Sequence, residues 1–158
     1  HCLPFRDNSL DGVHANALLE HVDDPRSVVR EMHRVLKPGG MVYVIQPWIH
    51  PYHAHPRDLH RFSFDTLQSL FSEFETLELC VNTGPTYTVL KLAETYIINL
   101  LPEVLPFGRR KITRAAQLLF WGCFFWMKYF DQWLFDKNTA KILANNTLFV
   151  GRKKLPQA

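Results

Sequence analysis

Apolar and polar positions alternate irregularly at first and then settle into clear periods. Asp7-Asn8-Ser9 forms a turn, and Leu10 to Ala17 carries few charges and suits a buried strand, although Gly12 and Asn16 interrupt it. The period then changes. Val28, Val29, Met32, Val35 and Leu36 fall at i, i+1, i+4, i+7 and i+8, which is one apolar stripe on a helix. Asp24 stands where an N-cap is needed and Pro25 at the first helical position. Lys37-Pro38-Gly39-Gly40 predicts a helix stop, since proline removes a donor and glycine permits positive φ. Met41 to Ile45 is a short continuous apolar run, the pattern of a strand buried on both faces. Strand, helix and strand in this order predict a βαβ unit with parallel strands and a right-handed crossover.

Gln46 to Arg61 is a loop rich in His and Pro. Ser63 is placed to cap a helix carrying Phe64, Leu67, Leu70, Phe71 and Phe74, and Thr76 to Val81 reads as a third strand. Asn82-Thr83-Gly84-Pro85 turns the chain. Val89 to Leu101 is helical and apolar until Pro102 and Pro106 break it, and Ile112 to Phe135 predicts a second long helix. Asn145-Asn146 leads into a fourth strand, Thr147 to Gly151. The expected class is α/β, in three parts: a βαβαβ core over 1–83, a helical, aromatic-rich insertion or lid over 84–143, and a last strand with a basic tail over 144–158.

Composition narrows the possibilities. The 158 residues suffice for one domain, and 47% apolar with 21% charged residues describe a globular chain. The chain opens on His1 with no charged-then-apolar leader, so a fragment or processed piece is expected, with no secretory signal to read. Cys2, Cys80 and Cys123 are scattered and odd in number, which argues against a disulfide framework and for a reducing, cytoplasmic setting. A net charge of +3 does not imply nucleic acid. Its distribution is more telling, because Arg109, Arg110, Lys111 and Arg114 precede a very apolar stretch.

That stretch has three readings. Ala115 to Met127 is the longest run free of charge, and its 13 residues fall short of the ~20 that span a bilayer. A core or interface helix is the plain reading. A membrane-surface helix or lid over a lipid substrate is the other, since Trp121, Trp126, Tyr129 and Trp133 beside a basic cluster suit headgroup depth. In the loop, His50, His53, His55, Asp58 and His60 offer five potential metal ligands in eleven positions. Their spacing is wrong for the HxHxDH of metallo-β-lactamase-like hydrolases, and no metal is expected. Arg57, His60 and Arg61 suit an anionic group, unless Asp58 and Arg61 simply pair with each other. Glu20 reads as a catalytic group or, more simply, as a surface carboxylate. Asp11 reads as a turn-pairing group.

Four pieces in order carry a resemblance: LPFRDNSLDGV from Leu3, LEHV at Leu19–Val22, RVLKPGG at Arg34–Gly40, and PRDLHRFSFDTLQSLF at Pro56–Phe71. Together they resemble class I S-adenosylmethionine-dependent methyltransferases of the broad "type 11" group, over about residues 1–83 and the last strand. The resemblance implies the C-terminal part of a Rossmann-like sheet, parallel with a reversed last strand, and S-adenosyl-L-methionine as cofactor. No GxGxG occurs in the chain. By resemblance, Ala15, Asn16, Ala17 and Leu18 would contact the methionine part of the cofactor, and His1, Cys2 and Leu3 would flank the adenine. His21 is the candidate base, or else a structural residue of the loop. Trp48, His53, Arg57 and Arg61 are candidates for a small-molecule or lipid-linked substrate. The expected setting is cytoplasmic, peripheral at a membrane surface, with no nucleic-acid partner. The fragment alone is expected to be a poor catalyst. The rival reading is a non-catalytic, membrane-associating module on the same fold.

Overall fold

The computed structural model describes residues 2–54, 56–100, 109–135 and 138–155. His1, His55, Leu101, Pro102 and Pro106 lie outside these, as do the side chains of Arg109, Arg110 and Lys111. Four strands form one sheet in the order β1-β2-β4-β3, with β1 Leu10–Asn16, β2 Leu36–Pro47, β3 Phe74–Thr83 and β4 Asn146–Lys153. β1 and β2 are parallel, and β4 runs antiparallel to both of its neighbours. The expected parallel pair and reversed last strand are therefore both present.

Helix α1, Pro25–Val35, crosses between the parallel strands. Asp24 caps it as predicted, its Oδ1 accepting from the N–H groups of Arg26 (3.0 Å) and Ser27 (3.2 Å). Its apolar stripe buries Val28, Val29, Met32 and Val35. Helix α2, Phe64–Leu70, begins at Ser63, whose Oγ accepts from the N–H of Thr66 at 3.2 Å. The core joins α1 to Val42 and Val44 of β2, to Leu67 and Phe71, and to Phe149 of β4. Phe71 stacks on Phe149 with ring centroids 4.6 Å apart.

Three expectations need correction. Lys37-Pro38-Gly39-Gly40 is not the helix stop. The helix ends at Val35, and these residues form an irregular start to β2, where the pairing jumps from Leu10–Leu36 to Gly12–Met41. Gly39 takes φ +80° there, which only glycine adopts freely. The helix's last carbonyls are satisfied instead by the Asn8-Ser9 turn, through bonds of 3.0 and 2.9 Å. Phe74 belongs to β3 rather than to the preceding helix. The predicted helix Ile112–Phe135 is in pieces: α4 Arg109–Phe124, a 3₁₀ segment Phe125–Phe130, and α5 Asp131–Leu134.

The last piece, α5, is tied to helix α3, Pro85–Asn99, which starts earlier than the apolar pattern suggests. The N-cap of α3 is Gly84, which has no side chain to offer. The buried carboxylate of Asp131 accepts the Thr86 N–H at 2.8 Å instead, from 45 residues away. A Cβ on Gly84 would lie 2.4 Å from Asp131 Cγ, so this approach needs glycine. Glu94 ties α3 to α4 by accepting from Gln117 at 2.9 Å, and Thr88 Oγ1 donates to the Leu143 carbonyl at 2.5 Å.

Candidate active site

The turn after β1 and the His-rich loop after β2 meet at the carboxyl ends of the parallel pair. Two backbone bonds fix them: the Glu20 carbonyl accepts from Leu59 N–H at 2.8 Å and from His60 N–H at 3.3 Å. The His60 ring Nε2 lies 3.0 Å from the Val22 carbonyl, closing the same seam.

Glu20 is the centre of this junction. It is 0% exposed, which overturns the surface-carboxylate expectation, and neither carboxylate oxygen has a hydrogen-bond partner. Burial raises its pKa above the ordinary carboxylate value, against the opposing pull of His21, His53 and Arg61. His21 Nε2 lies 3.7 Å from Glu20 Oε1, and His53 Nε2 lies 3.9 Å from the same oxygen. The two rings meet edge to face at 5.4 Å. Each ring's Nδ1 faces an acceptor: the Arg57 carbonyl for His21, and the Pro51 carbonyl (3.1 Å) and Asp58 Oδ2 (3.4 Å) for His53.

Asp58 organises the loop. Its carboxylate, 1% exposed, accepts from the His53 backbone N–H at 3.0 Å and pairs in two-pronged fashion with Arg61. The Arg61 guanidinium holds the Asp58 carboxyl well below the ordinary range. Arg61 also donates to the carbonyls of His60 and His50, so its expected freedom to bind an anion is taken up by the loop. Arg57 pairs with Asp23 at 2.7 Å on the surface. Trp48 is half-buried, and its backbone N–H donates to the Asn145 carbonyl at 2.8 Å.

The strand end expected to meet a cofactor has a distinctive backbone. Ala17 takes φ +49°, an uncommon left-handed conformation for a residue with a Cβ. Its N–H extends the ladder to the Ile45 carbonyl at 2.9 Å, and the chain then turns away. Ala15 is buried, while Asn16, Ala17 and Leu18 are exposed. Cys2 is exposed, and the Leu3 backbone is strapped to α1: its N–H donates to Glu31 at 2.8 Å and its carbonyl accepts from Arg34 at 3.2 Å. Asn16–Leu18 thus form an exposed turn in which the Ala17 N–H and the Leu18 carbonyl are already bonded within the chain, the latter to the His21 N–H at 3.1 Å.

Sequence reasoning missed Glu20 as a buried group and Asp58 as the organiser of His53. The density of His residues after β2 was the available signal, but it did not reveal that Glu20 and His21 complete the cluster. Gln46, at the end of β2, is also fully buried without a side-chain partner.

The sequence model of a family described as "Methyltransferase domain" matches residues 1–44. The demethylmenaquinone methyltransferase of Geobacillus kaustophilus is 40% identical over 74 residues, covering 45% of this chain and 30% of that protein. The O-methyltransferase resE of Aspergillus sclerotiorum is 32% identical over 114 residues, 65% of this chain and 43% of that protein. Among solved structures, a putative sarcosine dimethylglycine methyltransferase from Galdieria sulphuraria superposes with a TM-score of 0.55 at 18% identity, covering 96% of this chain and 56% of that one. This is a class I methyltransferase fold. The chain spans less than half the length of the two curated relatives. In an open α/β sheet of this class, ligands bind beyond the carboxyl ends of the strands. Ala17 and the Glu20–His21–His53 junction lie beyond the carboxyl ends of the parallel pair, β1 and β2.

Proposed function

We propose that this chain forms part of an enzyme that transfers a methyl group from S-adenosyl-L-methionine to a small-molecule or lipid-linked acceptor. The observation that carries the reading is the left-handed strand end at Ala17 within a methyltransferase-matching sequence, beside an ionisable cluster. When bound, S-adenosylmethionine supplies a methyl group on a sulfonium, open to in-line displacement. The chain's own residues align and exclude water. The backbone of Asn16, Ala17 and Leu18 would hold the methionine end, with buried Ala15 keeping the approach close. Cys2 and Leu3 would flank the adenine by side chain, since both backbone polar groups of Leu3 are engaged by α1. His21 Nε2 would accept a proton from the acceptor, its ring oriented by the Arg57 carbonyl. Trp48, His53, Arg57 and Arg61 would border the acceptor.

The named activity of the demethylmenaquinone relatives supports a lipid-linked acceptor, and so does the helical layer. Its apolar side chains face outward, with Leu118 74% and Trp133 73% exposed. Lys128 Nζ lies 3.6 Å from the Phe125 ring centroid, a basic–aromatic pair suited to headgroup depth. No helix among the described residues is long and apolar enough to cross a membrane. A layer that rests on the surface suits peripheral attachment.

Calorimetric titration of S-adenosylmethionine into the full-length protein tests the enzymatic reading. Saturable binding, reduced by Ala17→Asp, is expected; a folded protein that takes up no cofactor would sink it. The rival is a membrane-associating module without catalysis. It predicts vesicle binding that is untouched by His21→Ala and lost in Trp126→Ser/Trp133→Ser, in a protein that does not bind the cofactor.

A further inference from the structure

Glu20, His21 and His53 each offer one ligand atom, and the three atoms lie within 4.8 Å of one another. We propose that these residues bind a divalent transition-metal ion, with Zn²⁺ as the best match to two imidazoles and one carboxylate.

The hydrogen-bonding pattern suits a cation. The carbonyls that face Nδ1 of His21 and His53 can only accept, so each ring places its proton there. That leaves both Nε2 lone pairs directed at Glu20 Oε1. The Glu20 oxygens are also acceptors and have no hydrogen-bond partner, though the residue is fully buried. With Glu20 ionised, three acceptor atoms therefore converge, and apart from the Glu20 backbone N–H no donor faces the carboxylate. Tetrahedral zinc, with bonds of about 2.0–2.2 Å, separates its ligand atoms by about 3.4 Å. The observed 3.7 and 3.9 Å from Glu20 Oε1 need a contraction of a few tenths of an ångström, and the two histidine nitrogens, within 4.8 Å of each other, close the remaining edge by side-chain rotation.

The surroundings have the form of an outer shell. Ligating histidines characteristically donate their other ring N–H to a carbonyl or carboxylate. His21 does so to the Arg57 carbonyl, and His53 does so to the Pro51 carbonyl with Asp58 close behind. Asp58 is locked in turn by Arg61. Glu20, Asp58 and Arg61 together leave one net negative charge for the ion to neutralise. Glu20 anchors the site from the buried side, while both histidines are partly exposed, so the ion keeps an open position for water or for an oxygen donor of a bound molecule. The proposal does not depend on methyl transfer, and an ion held by His21 Nε2 takes the lone pair that would otherwise accept a proton, so the two roles belong to the loaded and the metal-free protein respectively.

The test uses chelator-stripped protein containing the whole chain, with Co²⁺ and Zn²⁺ alone as probes. One Co²⁺ per chain with visible ligand-field absorption is expected, displaced by Zn²⁺. Glu20→Gln and His53→Ala should each weaken Zn²⁺ by about 100-fold or more, since even outer-shell changes cost 10–100-fold. His50→Ala, whose ring stands 4.6 Å from that of His53 without joining the cluster, should stay within about 3-fold. Diethylpyrocarbonate footprinting of the unmutated protein reads the same site without any substitution: Zn²⁺ should shield His21 and His53 and spare His14. No stoichiometric uptake by folded protein, unchanged affinity in His53→Ala, or equal labelling of His21 and His53 with and without Zn²⁺ would each overturn the proposal.

Discussion

Glu20 shows how far a single residue's environment can depart from its local sequence. Within LEHV it has no apolar stripe to mark it as buried, and its burial comes from a loop whose nearest bonded residues, Leu59 and His60, lie almost forty positions on. Its raised pKa has a stability consequence with a definite sign. A carboxyl that binds its proton more tightly when folded costs stability above its unfolded value near 4.5, and the cost grows as pH rises through the folded value. In metal-free protein, Glu20→Gln should therefore raise the melting temperature at pH 7.5, and the gain should shrink toward zero below pH about 4. Melting curves across that range check it; a gain that persists undiminished at acid pH would contradict the assignment. Asp58 runs the other way. Its carboxyl is held low by Arg61, so its stabilisation is present above the unfolded value near 3.8 and fades as acid protonates it. Asp58→Asn should cost roughly 2 kcal/mol at neutral pH in denaturant unfolding. Cysteine reactivity offers a third check at this scale. Burial, with the Glu78 carboxylate beside it, pushes the Cys80 thiol up to about 11. Iodoacetamide at pH 8 should label exposed Cys2 and Cys123 well before Cys80, because the thiolate is the nucleophile.

Elements were legible where their causes are local. Asp24-Pro25 and Ser63 both cap helices as their spacing predicts, since the bonds they make reach only two or three residues ahead. Apolar runs identified all four strands, with ends displaced by two residues or fewer except at the start of β2, which begins five residues earlier than its apolar run. Legibility failed where the cause is distant. Pro85 at the first helical position is the one local mark of where α3 begins; its capping carboxylate, Asp131, lies 45 residues away. Near Phe125 the local signal for a break is weak, Gly122 alone, and Asp131 just beyond it bonds to α3. This coupling makes a prediction about the two segments jointly. Gly84→Ala forces a Cβ into the Asp131 carboxylate and should destabilise by about 1–3 kcal/mol. Asp131→Ala removes the cap and should cost about 1–2 kcal/mol. The double variant should cost less than the sum, because the alanine at 131 vacates the space that the Cβ needs. Additive losses would mean that the two residues do not act on one another. The candidate site divides in the same way: Ala15–Leu18, Trp48 and His53 could be proposed from position along the chain, whereas the joining of Glu20 and His21 to His53 arises only when two loops are packed together.

At the scale of the molecule the sheet and the helical layer differ in how they are held. β2 and β4 each have a partner on both sides, and between them they bury Val42, Val44, Leu148 and Phe149. The α4–α5 layer instead turns Leu118, Leu119, Phe125, Trp126, Tyr129 and Trp133 outward. Its described ties to α3 are few: the Asp131 cap, the Glu94–Gln117 bond and the Tyr87–Trp121 stack at 5.5 Å. Local opening free energy follows buried apolar contact, so the two layers should open separately. Hydrogen exchange followed by mass spectrometry should find peptides over 42–46 and 148–151 slowest, and peptides over 112–134 faster by about two orders of magnitude, a difference of about 2.7 kcal/mol in opening. If the outward aromatic face is a membrane-contact surface, anionic vesicles should slow exchange over 112–134 and leave 42–46 unchanged, because contact stabilises only the layer it covers. Protection that rises equally in both peptides would indicate a general stabilisation of the fold. Protection that rises in neither would leave the aromatic face without a role at lipid, and would favour acceptors that reach the strand ends from water.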